Sequence, residues 1–387
     1  MSVNFDGFIG PSYLLDNKYA SVERLVNWYL VANEASSEEK KFTYAAFPMP
    51  GNAQFCELPV PNPFNFPNRG LIELRGRVFG VNGPTVFELT SAGVFVNVGA
   101  VTNDDEPCNM VANGNGQIFI ASAGQGYVIP AAAGAGSLIS IPILEFLGAS
   151  YATMQDNYII VTTPDSNQFQ ISGDTGTPIG DATLWDATFI QQLSGQADYL
   201  RAVISSREYV RFMGARRSQV WQDVGGSGFP FSGYNQTFIE TGIGAAFSLT
   251  DLGDSLIWIG EDQRGSRACW KDPAFSPKRV SNSAVEQAWQ GYETIADAVA
   301  FSYIWKGNLL WQVTFPTANR TWVYDVTTSE LVQRHIWYER SHMDVNRDLI
   351  ARPERFHCYA FGLHLVGSCG TDGLPGAIHQ YDSGRVT

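Results

Sequence analysis

The most constraining feature of this 387-residue sequence is a phrase of two short apolar segments separated by a polar break, which recurs along the chain. The copy at residues 306–326, KGNLLWQVTFPTANRTWVYDV, contains LLWQVTF, then PTANR, then TWVYDV. Apolar runs on either side of Gly, Pro, Asn or Asp are typical of two strands joined by a tight turn. The phrase therefore predicts a β-hairpin.

Six further copies of the phrase cover residues 74–93, 110–130, 154–174, 205–225, 252–272 and 361–382. Comparable positions in the first strands are 40, 40, 51, 47, 53 and 54 residues apart, at Val78, Ile118, Tyr158, Tyr209, Leu256, Leu309 and Leu363. A repeat of this length is typical of propeller blades, in which each small sheet buries both faces against its neighbours. We expect an all-β fold, a β-propeller of six or seven blades, with a β-sandwich array as the alternative.

Two segments interrupt the repeat. Residues 1–70 include the Pro-rich stretch 47–70, and because Pro lacks a backbone donor we expect an extended arm that wraps the body. In the segment SNSAVEQAWQGYE, residues 281–293, Ser283 precedes Glu286 by three positions, a capping box that predicts one short inter-blade helix. The expected organisation is an arm at 1–70, partly extended, followed by a propeller at 71–387.

Charge and cysteine content limit the function classes. The chain has 25 Lys and Arg against 38 Asp and Glu, a net charge of −13, which disfavours tight binding to polyanions. Its five cysteines show no close CxxC spacing, so the sequence predicts neither a disulfide framework nor a zinc site. The first 20 residues lack the pattern of a signal peptide and no apolar run reaches transmembrane length, so we expect synthesis in the cytoplasm without membrane insertion.

An ordered set of segments from residue 21 to residue 330 resembles the packaged-DNA stabilisation proteins of short-tailed bacteriophages, also called tail hub or nozzle proteins. The segments are SVERLVNWYLVANE, RGLIELRGRVFGVNG, NGNGQIFIASAGQGYVI, FMGARRSQVWQDVG, LTDLGDSLIWIGEDQRG, RVSNSAVEQAW and NRTWVYDVTTSE. The resemblance implies a β-propeller subunit of a sixfold ring, a homohexamer, in the viral tail. It also implies a structural virion protein without enzymatic activity or cofactor.

Such a ring would lie below the portal and the head-to-tail adaptor ring, continue the DNA channel and help to retain packaged DNA until ejection. The partners that the resemblance implies are other copies of the chain, the adaptor ring and other tail proteins such as a spike, fibre or plug. Contact with the packaged DNA would be loose.

The sequence departs from the family pattern in two places. Residues 331–342 read LVQRHIWYERSH where another aromatic-basic strand would follow, and the last residues, YDSGRVT, fall within what resembles a blade. An incomplete blade would expose unpaired backbone N–H and C=O groups along an open edge. We therefore expect a strand from within residues 21–34 to pair with the last blade.

Sequence motifs of common enzymes are missing. The strings GxxxxGK[ST], HExxH and GxSxG do not occur, and the G-x-G strings at 131–139 and 241–248 are interpreted as turns. Residues 172–185 approach the Asp-box of sialidases in composition but not in spacing, so Asp174 and Asp181 are interpreted as turn residues. Two alternatives remain open: a propeller enzyme that processes glycans with paired carboxylates, and a cellular propeller scaffold.

All five histidines fall near the C-terminus, close to Cys358 and Cys369: His335, His342, His357, His364 and His379. Imidazole and thiolate side chains bind zinc when strands bring them together. The spacings match no finger or ribbon, so structural roles are expected, with a zinc site as the alternative.

Charged loops supply the remaining candidates. Arg216 and Arg217 lie between two strands and would contact phosphate or, more simply, face solvent. Asp104, Asp105 and Glu106 form an acidic run that we propose as channel-lining, because a wall without Lys or Arg contacts leaves DNA free to slide. The alternative is that the acidic excess lies outside and the lumen is basic.

Overall fold

Four-stranded antiparallel sheets arranged as blades dominate the fold. The computed structural model describes residues 13–14, 22–32, 44–56, 66–173, 180–193, 198–225, 228–261 and 265–384. Within these ranges there are seven such sheets, together with three two-stranded ribbons. The all-β propeller prediction is confirmed, and the number of blades is seven.

The arm contains β1 (Tyr13–Leu14), β2 (Val22–Glu23), β3 (Trp28–Ala32), β4 (Tyr44–Pro48) and β5 (Gly51–Cys56). Blades 1–3 are β6 (Asn68–Leu74), β7 (Arg77–Asn82), β8 (Thr85–Leu89) and β9 (Phe95–Ala100); β10 (Asn109–Ala112), β11 (Ile118–Ser122), β12 (Gln125–Ile129) and β13 (Ile139–Ser140); and β14 (Tyr151–Gln155), β15 (Tyr158–Thr162), β16 (Gln168–Ser172) and β17 (Trp185–Gln192).

Blades 4–6 are β18 (Leu200–Ser206), β19 (Tyr209–Gly214), β20 (Ser218–Asp223) and β21 (Phe231–Ile239); β22 (Thr250–Asp251), β23 (Leu256–Glu261), β24 (Arg267–Asp272) and β25 (Lys278–Arg279); and β26 (Val299–Trp305), β27 (Asn308–Phe315), β28 (Arg320–Asp325) and β29 (Trp337–Arg340). The ribbon β30 (His342–Met343) and β31 (Leu349–Ile350) precedes blade 7, which contains β32 (Glu354–Ala360), β33 (Leu363–Ser368), β34 (Ile378–Asp382) and the arm strand β5.

The seven repeated phrases correspond to the second and third strands of the seven blades. These middle strands are buried on both faces between adjacent blades, and β11, for example, is buried along its whole length. A strand covered on both faces is a continuous apolar run bounded by turn residues. The repeat was recognisable for this reason.

The arm closes the ring by backbone pairing. Strand β5 is antiparallel to β34, with Cys56 opposite Ile378 and Gly51 opposite Asp382. The prediction that residues 21–34 supply this strand is wrong, because β3 within that segment pairs with β4 instead. The closing strand is the one that leads directly into β6, just as the fourth strand of every other blade leads into the next blade.

The described part of this segment, residues 22–32, is fixed to blade 6 instead. Val26 forms a single parallel bridge with Glu339 in β29. The Arg24 guanidinium donates from Nε and Nη2 to the two carboxylate oxygens of Glu339, at 2.9 and 2.7 Å. Tyr29 and Leu30 are buried in a cluster with Tyr338 of the same blade. The β3–β4 ribbon therefore covers the outer edge of blade 6.

Helix α1 (Ser283–Gln290) lies between blades 5 and 6, where the short helix was expected. Its N-cap is Asn282, whose side chain accepts from the Val285 amide at 3.0 Å, so the capping box predicted from Ser283 is wrong. Glu286 accepts from the Ser281 hydroxyl instead, at 2.6 Å. Asn is as good an N-cap residue as Ser, and Asn282 comes one position before the predicted cap Ser283.

Helix α2 (Val326–Val332) joins β28 to β29 and was not expected. Asp325 caps its N-terminus by accepting from the Thr328 amide at 2.8 Å, and the helix ends where Gln333 adopts a left-handed conformation with φ 53°. A short 3₁₀ turn, Ala246–Ser248, precedes β22.

The loops divide between two faces, because consecutive antiparallel strands run in opposite directions. We call the upper face the one that carries the connections from each blade to the next and the turns between second and third strands. The lower face carries the turns between first and second strands and those between third and fourth strands. The first strands pack around the axis, where β32 contacts both β26 and β6, and β6 contacts β10.

Candidate functional site

The acidic run lies on the upper face, in the connection from β9 to β10. Arg69 in β6 is buried and its guanidinium forms an ion pair with Asp104. The same guanidinium donates to the Ser122 hydroxyl at 3.0 Å and to the backbone carbonyls of Gly83, Thr102 and Glu106. The ion pair of Asp104 with Arg69 therefore stabilises the position of the loop against blade 1.

Asp105 and Glu106 are exposed. Asp105 adopts φ 61°, and its carboxylate accepts from the Asn103 amide at 2.8 Å, a contact within the loop. The three acidic residues thus have two different roles in the monomer. One is tied to a buried arginine, and two face solvent at the seam between blades 1 and 2.

The paired arginines lie in the upper turn between β19 and β20. Arg217 Nε donates to a carboxylate oxygen of Glu240 at 2.8 Å, with side chains 47% and 66% exposed. The Arg216 amide donates to the Asp198 carboxylate at 2.8 Å. Acidic neighbours reduce the attraction of this turn for phosphate, which agrees with a solvated turn.

The histidines are mostly dispersed. His357 in β32 and His364 in β33 are in contact, with 3.0 Å between Nε2 and Nδ1. Burial, and then the neighbouring His364, lowers the pKa of His357 to about 3. His379 instead pairs with Asp372 at 2.9 Å. Within the described ranges, no group of three His, Cys, Asp or Glu side chains is placed to hold a metal ion.

Asp181 accepts from the Thr183 amide at 3.0 Å and from the Gln117 side chain at 3.1 Å. Burial alone would raise the pKa of this carboxyl, but these hydrogen bonds lower it. This geometry is that of a turn residue. Asp174 lies outside the described residues.

A buried group of charges that sequence reasoning missed lies at the seam between blades 6 and 7. We call Arg340, Arg352 and Glu354 the closure triad. Glu354 Oε1 is 2.9 Å from Arg352 Nε and 3.5 Å from Arg340 Nη1, and all three side chains are at most 1% exposed. Burial opposes the charge on Glu354, but attraction by Arg352 and Arg340 prevails and lowers its pKa to about 2.

The closure triad also contacts the arm. Arg340 Nη2 donates to the Pro50 carbonyl at 2.7 Å, and the Asn52 amide donates to Glu354 Oε2 at 3.0 Å. Arg340 Nη1 further donates to Gln312 and to the Tyr381 hydroxyl, at 2.8 and 3.1 Å. The triad therefore joins blade 6, blade 7 and the closing strand. In the sequence, this group was indicated by Arg340, which lies in the segment 331–342 where the chain departs from the family pattern.

Among the described residues, no helix is both long and apolar enough to cross a bilayer.

The chain matches one protein family by its sequence profile, and its fold is similar to that of solved propeller structures. Residues 66–371 match the profile of a family described as bacteriophage P22 Gp10, β-propeller. This range includes the three chain-continuous strands of blade 7 only in part, and the six preceding blades completely. No curated protein matches the chain significantly.

Similar solved structures include the Pan2 WD40 domain of Neurospora crassa, with TM-score 0.52, 8% identity, and coverage of 86% of this chain and 96% of that one. The WD40 propeller domain of Doa1 gives TM-score 0.51 at 9% identity, covering 86% and 97%. Virginiamycin B lyase from Staphylococcus aureus gives 0.47 at 10%, covering 82% and 94%. At such low identity the similarities to the two WD40 domains show the propeller fold alone.

Proposed function

This chain belongs to the bacteriophage P22 Gp10 β-propeller family, and on that premise we propose that it is a subunit of the tail hub or nozzle ring. Membership makes it a structural protein of a phage virion. The observation that carries the finer proposal is the extent of the match, which includes six whole blades and reaches into the seventh.

The proposed ring contains six copies, attaches to the head-to-tail adaptor ring and continues the DNA channel. Its other partners would be tail proteins such as a spike, fibre or plug. The closure triad supports this role, since a subunit under pressure from packaged DNA must not open at its last blade, where the arm completes the sheet. Backbone pairing of β5 with β34 holds the arm in blade 7, and three buried charges hold blade 7 against blade 6.

We propose that the lumen is lined by acidic and small polar side chains, including Asp105 and Glu106. Their exposure on the upper face leaves them free to face a channel once subunits assemble. The net charge of −13 per chain, repeated around a ring, would repel a duplex and keep friction low. Retention of DNA would then depend on a gate of loops or on a partner protein.

Localisation in the virion tests the central proposal. We expect antibodies against the chain to label the tail of purified virions, and native mass spectrometry of the extracted protein or its adaptor complex to give six copies. Absence from virions, or a constant monomer even with the adaptor, would contradict a hub.

DNA binding by the assembled ring tests the lumen. We expect weak binding that changes little with salt, because few phosphate contacts release few counterions. Each of the single changes Asp105→Lys and Glu106→Lys should add affinity and a steeper salt slope, whereas Glu208→Lys on a lower-face turn, with the same change of charge, is the matched control. Submicromolar binding by the unaltered ring with a steep salt slope would instead show a basic lumen.

A propeller enzyme that acts on glycans is the alternative of a different class. It predicts turnover that disappears when one central carboxylate is neutralised. We propose that the protein is not an enzyme, and a glycan library incubated with the pure chain should therefore remain unmodified.

A further inference from the structure

The connection from β13 to β14 on the upper face exposes three apolar side chains within five residues. Leu144 is 86% exposed, Ile143 69% and Leu147 41%. We call these three residues the knob. A single exposed apolar residue is ordinary, whereas several together on a surface indicate a site of contact with another protein.

The knob is held in place by blade 3. Phe146, which lies between the exposed residues in sequence, is buried, and its ring centroid is 4.6 Å from that of Trp185. The buried side chain of Gln170 donates to the Glu145 carbonyl at 2.6 Å and accepts from the Leu147 amide at 3.0 Å. A knob that is already ordered loses little conformational entropy when it binds.

The lower face carries a cavity of about 190 Å³ at the seam between blades 4 and 5, which we call the seam cavity. Its apolar lining is formed by Tyr209, Leu256, Pro273, Ala274 and Phe275. Arg211 and Asp272 also line it, but they pair with each other and are buried. An apolar cavity of about 150 Å³ holds a benzene molecule, so the seam cavity is large enough for a leucine side chain.

Phe275 keeps its ring at the mouth of the seam cavity through an unfavourable backbone conformation. Its φ is 59°, in the left-handed region that bulky residues avoid. Asp272 Oδ1 fixes this turn by accepting from the amides of Ala274 and Ser276, at 3.1 and 2.7 Å. The Phe275 ring meets that of Tyr209 edge to face, with 5.0 Å between the centroids. Strained conformations of this kind concentrate at binding sites, which supports a role for the aromatic rim.

The two features lie on opposite faces of the same monomer. The knob projects from the upper face beside the seam of blades 2 and 3, whereas the seam cavity is lined by lower-face turns two seams further round. Because the knob is fixed on its own face, it can enter only the cavity of another copy. A contact between unlike patches is heterologous, and it closes into a ring when the rotation between neighbours fits the number of copies.

The charges near the two features do not favour a ligand of either sign. Arg207 and Asp254 both line the seam cavity, and Glu145 lies beside Leu144. In a contact between copies, Glu145 would meet one opposite charge and one like charge. The attraction must therefore come from apolar burial, for which Leu144 is suited.

Val345, in the turn between β30 and β31, is still more exposed than Leu144, at 98%. Its neighbours in sequence, Asp344 and Asn346, are polar, so an inserted Val345 would have no apolar surface around it. Ile143 gives Leu144 such a surface. The knob is therefore the better match to the seam cavity and its aromatic rim.

We propose that Leu144 of one copy inserts into the seam cavity of the next copy, with Ile143 and Leu147 against the aromatic rim. The inference rests on the proposed ring and identifies the contact between neighbouring copies. A standard interface buries about 800 Å² on each partner, and the residues that contribute most lie near its centre. The knob is thus the centre of a wider contact between an upper and a lower face. The acidic loop at 104–106 belongs to a different seam and stays outside this contact.

The test uses two variants of the full chain, each of which breaks one half of the contact. Leu144→Asp removes the knob and keeps the seam cavity, whereas Ala274→Trp blocks the mouth of the seam cavity and keeps the knob. We expect each variant alone to associate at least about a hundredfold more weakly than the unaltered chain, as measured by analytical ultracentrifugation. Leu331→Asp and Ala132→Trp are the matched controls, since both residues are exposed and lie outside the two features.

A mixture of the two variants gives the sharpest result. The knob of Ala274→Trp can enter the seam cavity of Leu144→Asp, but the knob and the cavity that remain in this pair are both altered. We expect a complex that stops at two copies, one of each variant, with a dissociation constant on the order of 10 µM. Isotope labelling of one variant identifies the composition by native mass spectrometry. Recovery of binding in the mixture also shows that both variants are folded.

Three results of these measurements would overturn the proposal: variants that associate like the unaltered chain, a mixture that remains monomeric at about 1 mM, and a mixture that grows beyond two copies. A defect confined to Ala274→Trp would also overturn it and would assign the seam cavity to a different tail protein.

The outcome is separable from that of the proposed function. Six-copy rings of Leu144→Asp in virions would refute this contact and leave the tail role intact. Absence of the unaltered chain from virions would contradict the tail role, even if the mixed pair of variants forms.

Discussion

The seam between blades 6 and 7 and the seam between blades 4 and 5 both place a buried arginine of one blade against a carboxylate of the next. At the first, Glu354 is shared by two arginines and covered by the arm. At the second, Asp272 has one arginine, and a cavity adjoins the pair. A buried arginine–carboxylate pair thus lies at both seams, but the first seam is closed by the arm and the second has a cavity beside the pair.

Removal of the arm should destabilise the protein more than any other change considered below. Deleting residues 1–56 removes β5, exposes the edge of β34 and takes Asn52 and Pro50 from the closure triad. We expect aggregation and no cooperative thermal transition, as judged by size-exclusion chromatography and circular dichroism.

The shorter deletion of residues 1–49 is the control for the arm. It keeps β5 but loses the β3–β4 ribbon, so we expect a folded protein with a lower melting temperature. If the two deletions behave alike, the segment 21–34 contributes to closure as much as β5 does. The division of the chain at residue 70 stays a prediction.

The second largest effect should follow from Glu354→Gln. The substitution leaves two buried arginines without their shared carboxylate, which costs about 3 to 5 kcal/mol of unfolding free energy. The measurement is the urea midpoint. Glu261→Gln, in a pair with Arg267 where Glu261 is 41% exposed, is the control and should change stability by less than about 0.5 kcal/mol. Equal effects would mean that the closure triad does not stabilise the seam.

Acid should weaken the same seam through His357, which stacks on Phe301 of blade 6 at 5.5 Å. Its pKa is about 3 in the folded protein against 6.5 in the unfolded chain, so the unfolded chain binds the proton first as pH falls below 6.5. Between pH 7 and pH 5 this lowers the free energy of unfolding by about 2 kcal/mol.

The comparison for this prediction is with His357→Gln, which should lose that dependence. The pH dependence of the free energy of unfolding of the wild type alone would also include the titration of Asp325. Burial raises the pKa of Asp325 to about 6, so its contribution to stability increases as pH falls through that value. Identical pH profiles of the two proteins would show that His357 does not titrate on unfolding in this range.

At the seam beside the cavity, Asp272→Asn should cost less than the change at Glu354, about 1.5 kcal/mol. Water in the cavity can take over part of the hydrogen bonding to Arg211, which the sealed triad does not allow. Urea denaturation of the two variants side by side measures the difference. A cost at Asp272 that equals the cost at Glu354 would mean that the cavity gives Arg211 no compensation.

The smallest effect is expected outside both seams, at Arg217→Ala. Its pair with Glu240 is exposed on both sides, so we expect a change below about 0.5 kcal/mol in the same assay.

The middle strands were predictable from sequence because burial on both faces requires apolar runs that repeat. The closing strand was not, since GNAQFC lacks the long apolar run of the middle strands and pairs with β34 through backbone groups, which any side chains permit. The apolar run at 28–32, within the segment 21–34, belongs to the ribbon that covers blade 6. Helix α2 was missed because Val and Thr are weak helix formers, although Asp325 was visible as a cap.

The charged sites were less predictable for a different reason. The acidic run at 104–106 could be located, but its anchor Arg69 is 35 residues away, and the Asn52 partner of Glu354 is 302 residues away. A single sequence does not specify which distant charges meet. Arg211 and Asp272, which are separated by 61 residues, have the same property.

Closure by β5 also has a consequence for biosynthesis. The strand is translated before the blades, yet its partner β34 follows some 320 residues later. At about 5 to 20 residues per second, the ribosome needs roughly 16 to 64 s to make that interval. Throughout this time β5 in the nascent chain has no partner strand. The yield of closed subunits therefore depends on the rate of translation and on whatever covers the edge of β5 until β34 is made.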